Sequence, residues 1–382
     1  MIYLDYAATN PVRPQVIDCI HQSLVDDYGN PSSIYQKGKQ SKIKLMHARR
    51  QMADLLGVSS TDLYFTSGAT EANNWALRHQ AYEARKLGLG NHIVATAIEH
   101  PSVAEVLHTL SQDGFEITYI YPNRQGHFIP DDFHKATHSQ TIGWVAMAVN
   151  NELGTILPIK ELGNLAKELA IWCHVDAVQM IGHEDTSDLI DAATSFVGSA
   201  HKFGGPKGIG FLVYQPWNLK MTLKPLIYGG GQESKQRSGT ENLPYILGMV
   251  EALKLSQIEK DQFRQESQLY KSTIIRELEA ASIDFEINGP SQESVPYILN
   301  LWLKDINASQ ILIKLDLKEI YVSAGSACSA GSLTESPVLK AYYPDQPSRW
   351  QQSLRLSFGY GTQMADIKAF TQILIELLEG KS

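Results

Sequence analysis

"VGSAHKFGGPKGIGF", Val197–Phe211, runs from an apolar strand end into a histidine and two lysines among five glycines, then back into apolar residues. A lysine so placed reads as the end of one strand and the start of a tight return into the next, "IGFLVY". Gly204, Gly205, Gly208 and Gly210 permit close backbone approach there, and Lys207 reads as a structural or surface charge. Outward from it, short apolar runs alternate with helical patterns. "DLYFTS" precedes "TEANNWALRHQAYEARK", "HIVATA" precedes "PSVAEVLHTLSQ", and "GWVAMAV" precedes "IKELGNLAKELA", which leads into "IWCHVDA". Such β, α, β, α order predicts an α/β fold: an open, mostly parallel sheet with helices on both faces. A long helical pattern over about Leu243–Ala281 reads as a bridge to a smaller α+β region, with its end set by "NGP" at Asn288–Pro290.

Composition narrows the classes. A chain of 382 residues can bury a large core, and 43% hydrophobic with 19% charged residues is ordinary for a globular protein. The net charge of −8 argues against a nucleic-acid backbone as direct partner. Cys19, Cys173 and Cys328 lie far apart without a C-x-x-C pair, which argues against a disulfide framework or structural zinc site and fits a reducing cytoplasm. "MIYLDYAATNP" does not read as a signal peptide, and runs such as "WVAMAV" are too short to span a membrane.

In an open parallel sheet, ligands gather beyond the carboxyl ends of the strands. Five apolar runs end in polar residues: Gly68, Ala69, Thr70 and Glu71; Glu99 and His100; Asn150, Asn151 and Glu152; Asp176 and Gln179; His201 and Lys202. Singly, Asp176 reads as a turn residue, "SGATE" as a helix cap and Lys202 as a solvated lysine. Those readings do not explain five coincident ends on one rim. A nucleotide P-loop is disfavoured, because Lys202 is followed by Phe203 and Lys207 by Gly208. A lysine amine can instead form a Schiff base with pyridoxal 5'-phosphate, with an acid such as Asp176 holding its ring nitrogen protonated. Backbone donors at the helix start in "SGATE", together with Ser199 and His201, suit its phosphate.

The motifs "YLDYAATNP", "TSGATEANN", "EHPSV", "NNELG", "HVDAVQ", "SAHKFGGPKGIG", "RSGTEN", "SAGSACSAG" and "RLSFG" follow one another along nearly the whole chain. Their set and order resemble the pyridoxal-phosphate cysteine desulfurases of the NifS and IscS kind, within the class V aminotransferase family and fold type I. The resemblance implies a Schiff base on Lys202, a proton-shuttling His100 stacked on the cofactor ring, Asp176 at its nitrogen and Gln179 at its phenolic oxygen. It assigns Ala69, Thr70, Ser199 and His201 to cofactor binding, and Thr240 to the phosphate of the other subunit of a homodimer. Asn151 and Arg355 match substrate-holding positions, and a guanidinium fork suits a carboxylate.

Cys19 and Cys173 read as small buried hydrophobes. Cys328 differs, since Ser323–Ser332 contains only Ser, Ala, Gly and Cys and offers no large side chain to bury. It reads as a mobile surface loop presenting a thiol. The resemblance implies conversion of L-cysteine to L-alanine through a persulfide on Cys328, with delivery of sulfur to an acceptor protein, an iron–sulfur scaffold, tRNA-thiolation enzyme or cofactor-biosynthesis protein. The expected organisation is an N-terminal segment, 1–15, associated with the small domain; a large cofactor domain, 16–255; and a small domain, 256–382, carrying the cysteine loop. Asn10 stands where the family more usually has threonine. The long segment containing "YYPDQPSRWQQ" resembles the longer-loop desulfurases. Two alternatives stay open: a selenocysteine lyase or other enzyme of this fold type, and a non-catalytic sulfur-trafficking scaffold.

Overall fold

The structure is a computed structural model that describes residues 1–217, 219–324 and 335–380; Cys328 lies outside the described residues. The chain opens with β1 (Ile2–Tyr3), α1 (Pro14–Asp26) and α2 (Gln36–Leu56). Alternation follows: β2 (Leu63–Thr66), α3 (Ala69–Lys86), β3 (His92–Thr96), α4 (Pro101–Gln112), β4 (Glu116–Ile120), α5 (Pro130–Ala136) and β5 (Thr141–Met147). Next come α6 (Ile159–Glu168), β6 (Trp172–Asp176), α7 (Ser187–Ala192), β7 (Ser195–Ser199) and β8 (Gly210–Tyr214).

These strands form a seven-stranded sheet of order β2-β8-β7-β6-β5-β3-β4. Only β8 runs against its neighbours; all other pairings are parallel. Strands β3, β5, β6, β7 and β8 are buried at every residue, as continuous apolar runs demand when helices cover both faces. Gly210 shows why a glycine opens β8, since a Cβ there would lie 2.7 Å from Gly68 Cα and push away the turn that starts α3. Gly204 serves differently, with a left-handed φ of 81° that returns the chain after Lys202.

The bridging helix α8 (Leu243–Ala280) has 38 residues and so extends about 57 Å. Its first turns pack in the core around the large sheet, and Tyr270, Ile274 and Leu278 pack in a second core. The expected terminator is corrected: the helix stops at Ala280, Ser282 takes a left-handed φ of 57°, and "NGP" follows the next strand. That strand is β9 (Phe285–Ile287), followed by β10 (Ile298–Leu303), α9 (Ala308–Asp316), β11 (Ile320–Tyr321), α10 (Pro337–Tyr342), α11 (Pro347–Gln351), β12 (Ser353–Ser357) and α12 (Met364–Leu378). Strands β12, β10 and β9 make an antiparallel sheet, while β1 pairs in parallel with β11. The N-terminal strand is thereby drawn to the C-terminal part, and Ala7 N–H donates to Ser357 Oγ at 2.8 Å. Cys173 is buried in the core, where desolvation pushes its thiol up to about 12, while Cys19 on α1 is half-buried.

Candidate active site

The carboxyl ends of β2, β3, β5, β6 and β7 open on one cavity of about 520 Å³, whose far wall comes from Ala7–Thr9 and Arg355. Ala69, Thr70, His100, Asn151, Asp176, Gln179, Ser199, His201, Lys202 and Arg355 all line it. Three rim residues do not. Glu99 turns inward, Asn150 accepts the backbone N–H groups of Glu152 and Leu153, and Glu152 pairs with Ser336. All three lie in the loops beyond the strands, so a strand end sets where the residue sits, but the partner that receives it decides which way its side chain points. Lys207 lies exposed at the cavity edge.

Lys202 ends a short turn of 3-10 helix after β7. Its Nζ donates to the carbonyls of Ala7 at 2.6 Å and Ala8 at 2.9 Å. Its own carbonyl accepts from Asn10 Nδ2 at 2.8 Å and faces His183 Nε2 at 2.9 Å. Asn10 Nδ2 also donates to Tyr6 O at 3.0 Å. The two protons of one amide thus bind two carbonyls, where a threonine hydroxyl has one proton to give.

His100 caps α4, and its Nδ1 accepts the Ser102 backbone N–H at 3.1 Å. Burial lowers its pKa, helped by Lys202 and opposed by Asp176. His201 sits 3.1 Å from Thr9 Oγ1, and burial drives its pKa down to about 4, so the ring is neutral near pH 7. Asp176 ends β6; Oδ1 accepts Val178 N–H at 3.0 Å and Oδ2 accepts Asn73 Nδ2 at 2.9 Å. Gln179 Nε2 donates to Ala7 O at 2.8 Å.

At the phosphate-suited end, α3 starts at Ala69 behind Gly68, which provides no side-chain cap, so the first-turn amides meet the cavity. Glu71 reaches back to Ser67 N–H at 2.9 Å and takes the Arg237 guanidinium through both oxygens. Burial opposes its charge, but the Arg237 and Ser67 bonds outweigh that and hold its carboxyl below the ordinary range. An amine, a carboxylate, an amide donor and a helix start with Ser199 and His201 beside it form a set whose chemistry fits pyridoxal phosphate.

Arg355 departs from a vacant fork. Its side chain is buried, with NH2 on Asp5 Oδ1 at 2.6 Å and NH1 donating to Asn151 O at 3.1 Å, while Nε has no hydrogen-bond partner among the described residues. Part of the guanidinium is thus already committed to the protein. Thr240 is exposed and lies outside the main cavity, in a smaller depression with Thr66, Ser67, Gly208 and Arg237. The sequence reading missed Asp5, Asn73, Ser102 and the Ala7 and Ala8 carbonyls. Asp5 and Asn73 lie inside quoted motifs, and Asn73 follows Thr70 by three residues on α3, a spacing that places both on neighbouring faces of that helix.

Burial of Glu99 raises its carboxyl to about 8, which leaves it protonated at neutral pH. Its Oε1 accepts the Met147 N–H at 2.8 Å and the Thr96 hydroxyl. It therefore stands behind the cavity wall as a neutral acid.

Residues 2–370 match the family described as Aminotransferase class-V. The chain is similar to the cysteine desulfurase IscS of Dictyoglomus turgidum, at 38% identity over 99% of this chain and 94% of that protein. Among solved structures it resembles a NifS-like protein with a TM-score of 0.90, at 30% identity over 99% of both chains. It also resembles SspA solved in complex with cysteine, with a TM-score of 0.79, at 30% identity over 94% of this chain and 99% of the other.

Proposed function

The chain belongs to the class V aminotransferase family and is a pyridoxal-phosphate-dependent cysteine desulfurase of fold type I; we propose that Lys202, His100, Asp176 and Cys328 carry its reaction. The observation that supports this reading is the meeting of Lys202, His100, Asp176 and Gln179 in one cavity with the open start of α3. Pyridoxal phosphate, when bound, supplies an aldehyde for amines and an electron sink for the substrate α-carbon. Lys202 would hold that aldehyde, with Ala69, Thr70, Ser199 and His201 on the phosphate and Asp176 and Gln179 on the ring.

Asn151 and the uncommitted part of Arg355 hold the carboxylate of L-cysteine, which aligns its α-carbon with Lys202. Lys202 and the neutral His100 move protons at that carbon. The Cys328 thiolate then takes the substrate sulfur: an S–S bond forms on Cys328, the substrate C–S bond breaks, and its electron pair ends as a C–H bond of L-alanine after protonation. An acceptor protein, an iron–sulfur scaffold or tRNA-thiolation enzyme, would collect the persulfide sulfur.

The same reading divides the chain into the 1–15 segment with the small domain, the large domain 16–255 and the small domain 256–382. It joins two copies into a homodimer in which Thr240 reaches the partner's phosphate site, and places the protein in the cytoplasm. No helix among the described residues is long and apolar enough to cross a membrane. The test is a visible absorbance spectrum of purified protein with added cofactor, followed by L-cysteine with alanine and sulfide assays. Cofactor colour and alanine release are expected, and Cys328→Ala keeps the colour while releasing little alanine. A protein that binds no cofactor, or a Cys328→Ala variant with normal turnover, overturns the assignment.

A further inference from the structure

Behind the cavity lies a buried polar chain that the reaction scheme leaves unused. Asn73 on α3 is completely buried, and three of its contacts are short. Its Nδ2 lies 2.9 Å from Asp176 Oδ2 and 2.9 Å from Ser102 Oγ, and its Oδ1 lies 2.9 Å from His174 Nε2. A carboxylate oxygen accepts and cannot donate, so the amide must present N–H groups to Asp176. Flipping it would set a carbonyl against the carboxylate in a site without water to screen the clash.

That orientation propagates in both directions. Oδ1 of Asn73 can only accept, so His174 must carry its proton on Nε2. Total burial keeps His174 neutral by lowering its pKa to about 3, and its Nδ1 is left as an acceptor for Ser195 Oγ at 2.8 Å. Ser195 in turn accepts from Gln80 Nε2 at 2.9 Å, the polarity the chain requires. Toward the cavity, Ser102 Oγ accepts from Asn73 and has its one proton left for His100 Nδ1 at 2.9 Å. The Ser102 backbone N–H also donates to that nitrogen. With two donors directed at it, Nδ1 of His100 carries no proton, and the neutral ring carries its proton on Nε2.

We propose that Asn73 is a positioning residue that holds the Asp176 carboxylate in place and, through Ser102, sets His100 in its Nε2–H tautomer, the acceptor-only carboxylate fixing the direction of the whole chain and His174 following it. His100 thus begins the catalytic cycle as a hydrogen-bond donor through Nε2, and takes up a proton there only after giving one away. Asp176 is held at both oxygens, Oδ1 by Val178 N–H and Oδ2 by Asn73, so its plane is set before any ligand arrives. The proposal rests on the desulfurase reading for what His100 and Asp176 do, but not for the state in which they are held.

The test is nitrogen-15 NMR of the full-length protein labelled at histidine, with cofactor bound and with it removed, using His100→Gln and His174→Gln to assign the two rings. Nε2–H signatures for both rings in wild type are expected. In Asn73→Ala, the His174 signal leaves the pure Nε2–H position, and kcat for alanine release drops about 10-fold or more, the scale of one lost hydrogen bond to a charged group, with KM for L-cysteine little changed. An Nδ1–H or doubly protonated His100 in wild type at pH 7 overturns the proposal. So does an Asn73→Ala protein whose tautomers and kcat are unaltered. If Asn73→Ala fails to fold, the wild-type spectrum alone decides. A wild type with the expected tautomers but no alanine release would overturn the desulfurase reading and leave this one standing.

Discussion

The two walls of the cavity are built differently. The wall beneath His100, Asp176 and Lys202 consists of adjacent strand ends, backed by a fully buried hydrogen-bond chain from Gln80 to Asp176. The opposite wall joins the two ends of the chain. Asp5 meets Arg355 across 350 positions, and Ala7 meets Ser357 across the same separation. The first wall is rigid because its groups end or closely follow strands buried on both faces, while the second depends on a few long-range polar contacts. In the reaction proposed above, Lys202, His100 and Asp176 act from the first wall, while the grip on substrate is shared between Asn151 beyond the end of β5 and Arg355 on the second. Chemistry needs fixed geometry, whereas grip can be assembled when the chain ends meet.

Four substitutions break or sharpen that contrast. Lys202→Ala removes the amine of the rigid wall and brings alanine release from L-cysteine to background; sustained turnover would show that the amine is dispensable. His100→Ala lowers turnover by about 10²–10⁴-fold while the bound cofactor's absorbance persists. Loss of the absorbance would make His100 a cofactor anchor and not a proton carrier.

Asp5→Asn strikes the assembled wall. It leaves Arg355 buried without its carboxylate and lowers stability in denaturant melts by about 3 kcal/mol. It also alters KM for L-cysteine more than kcat. A kcat effect as large as that of His100→Ala would erase the difference between the walls.

Glu99→Gln has the smallest effect on turnover and tests the rigid wall through the pH dependence of stability. The folded carboxyl titrates near 8 and the unfolded one near its ordinary 4.5, so between these values the folded state binds more protons and wild-type stability falls as pH rises. The slope from this group is about 1.4 kcal/mol per pH unit at most. Melts from pH 5 to 8 should find the variant's curve flatter than wild type. Parallel curves would mean that Glu99 ionises at its ordinary pH inside the fold.

Much of the rigid wall was readable in the sequence. Lys202, Asp176, His100 and Thr70 each follow an apolar run, and parallel strands bring their carboxyl ends together whatever the details of packing. The same rule overreached at Glu99, Asn150 and Glu152, which share those strand ends yet turn away from the cavity. Nothing local distinguishes them from Asn151, because the side on which a residue emerges depends on the neighbour that receives it. Asn73 looked like one more polar residue of a helix until β6 and α4 came to lie against it. Asp5 carried no signal of its own, since its partner is at the other end of the chain.

Sequence alone determined the alternation of strands and helices, the rim where they end and the amine, acid and imidazole that stand there. It could do so because apolar periodicity and strand direction are local properties of the chain. Only the tertiary structure decided which rim residues face the cavity, how Arg355 is shared with Asp5, and in which direction the hydrogen bonds around Asn73 run. Each of those depends on a donor meeting an acceptor from a distant segment, and no stretch of residues records its partner until the chain has folded.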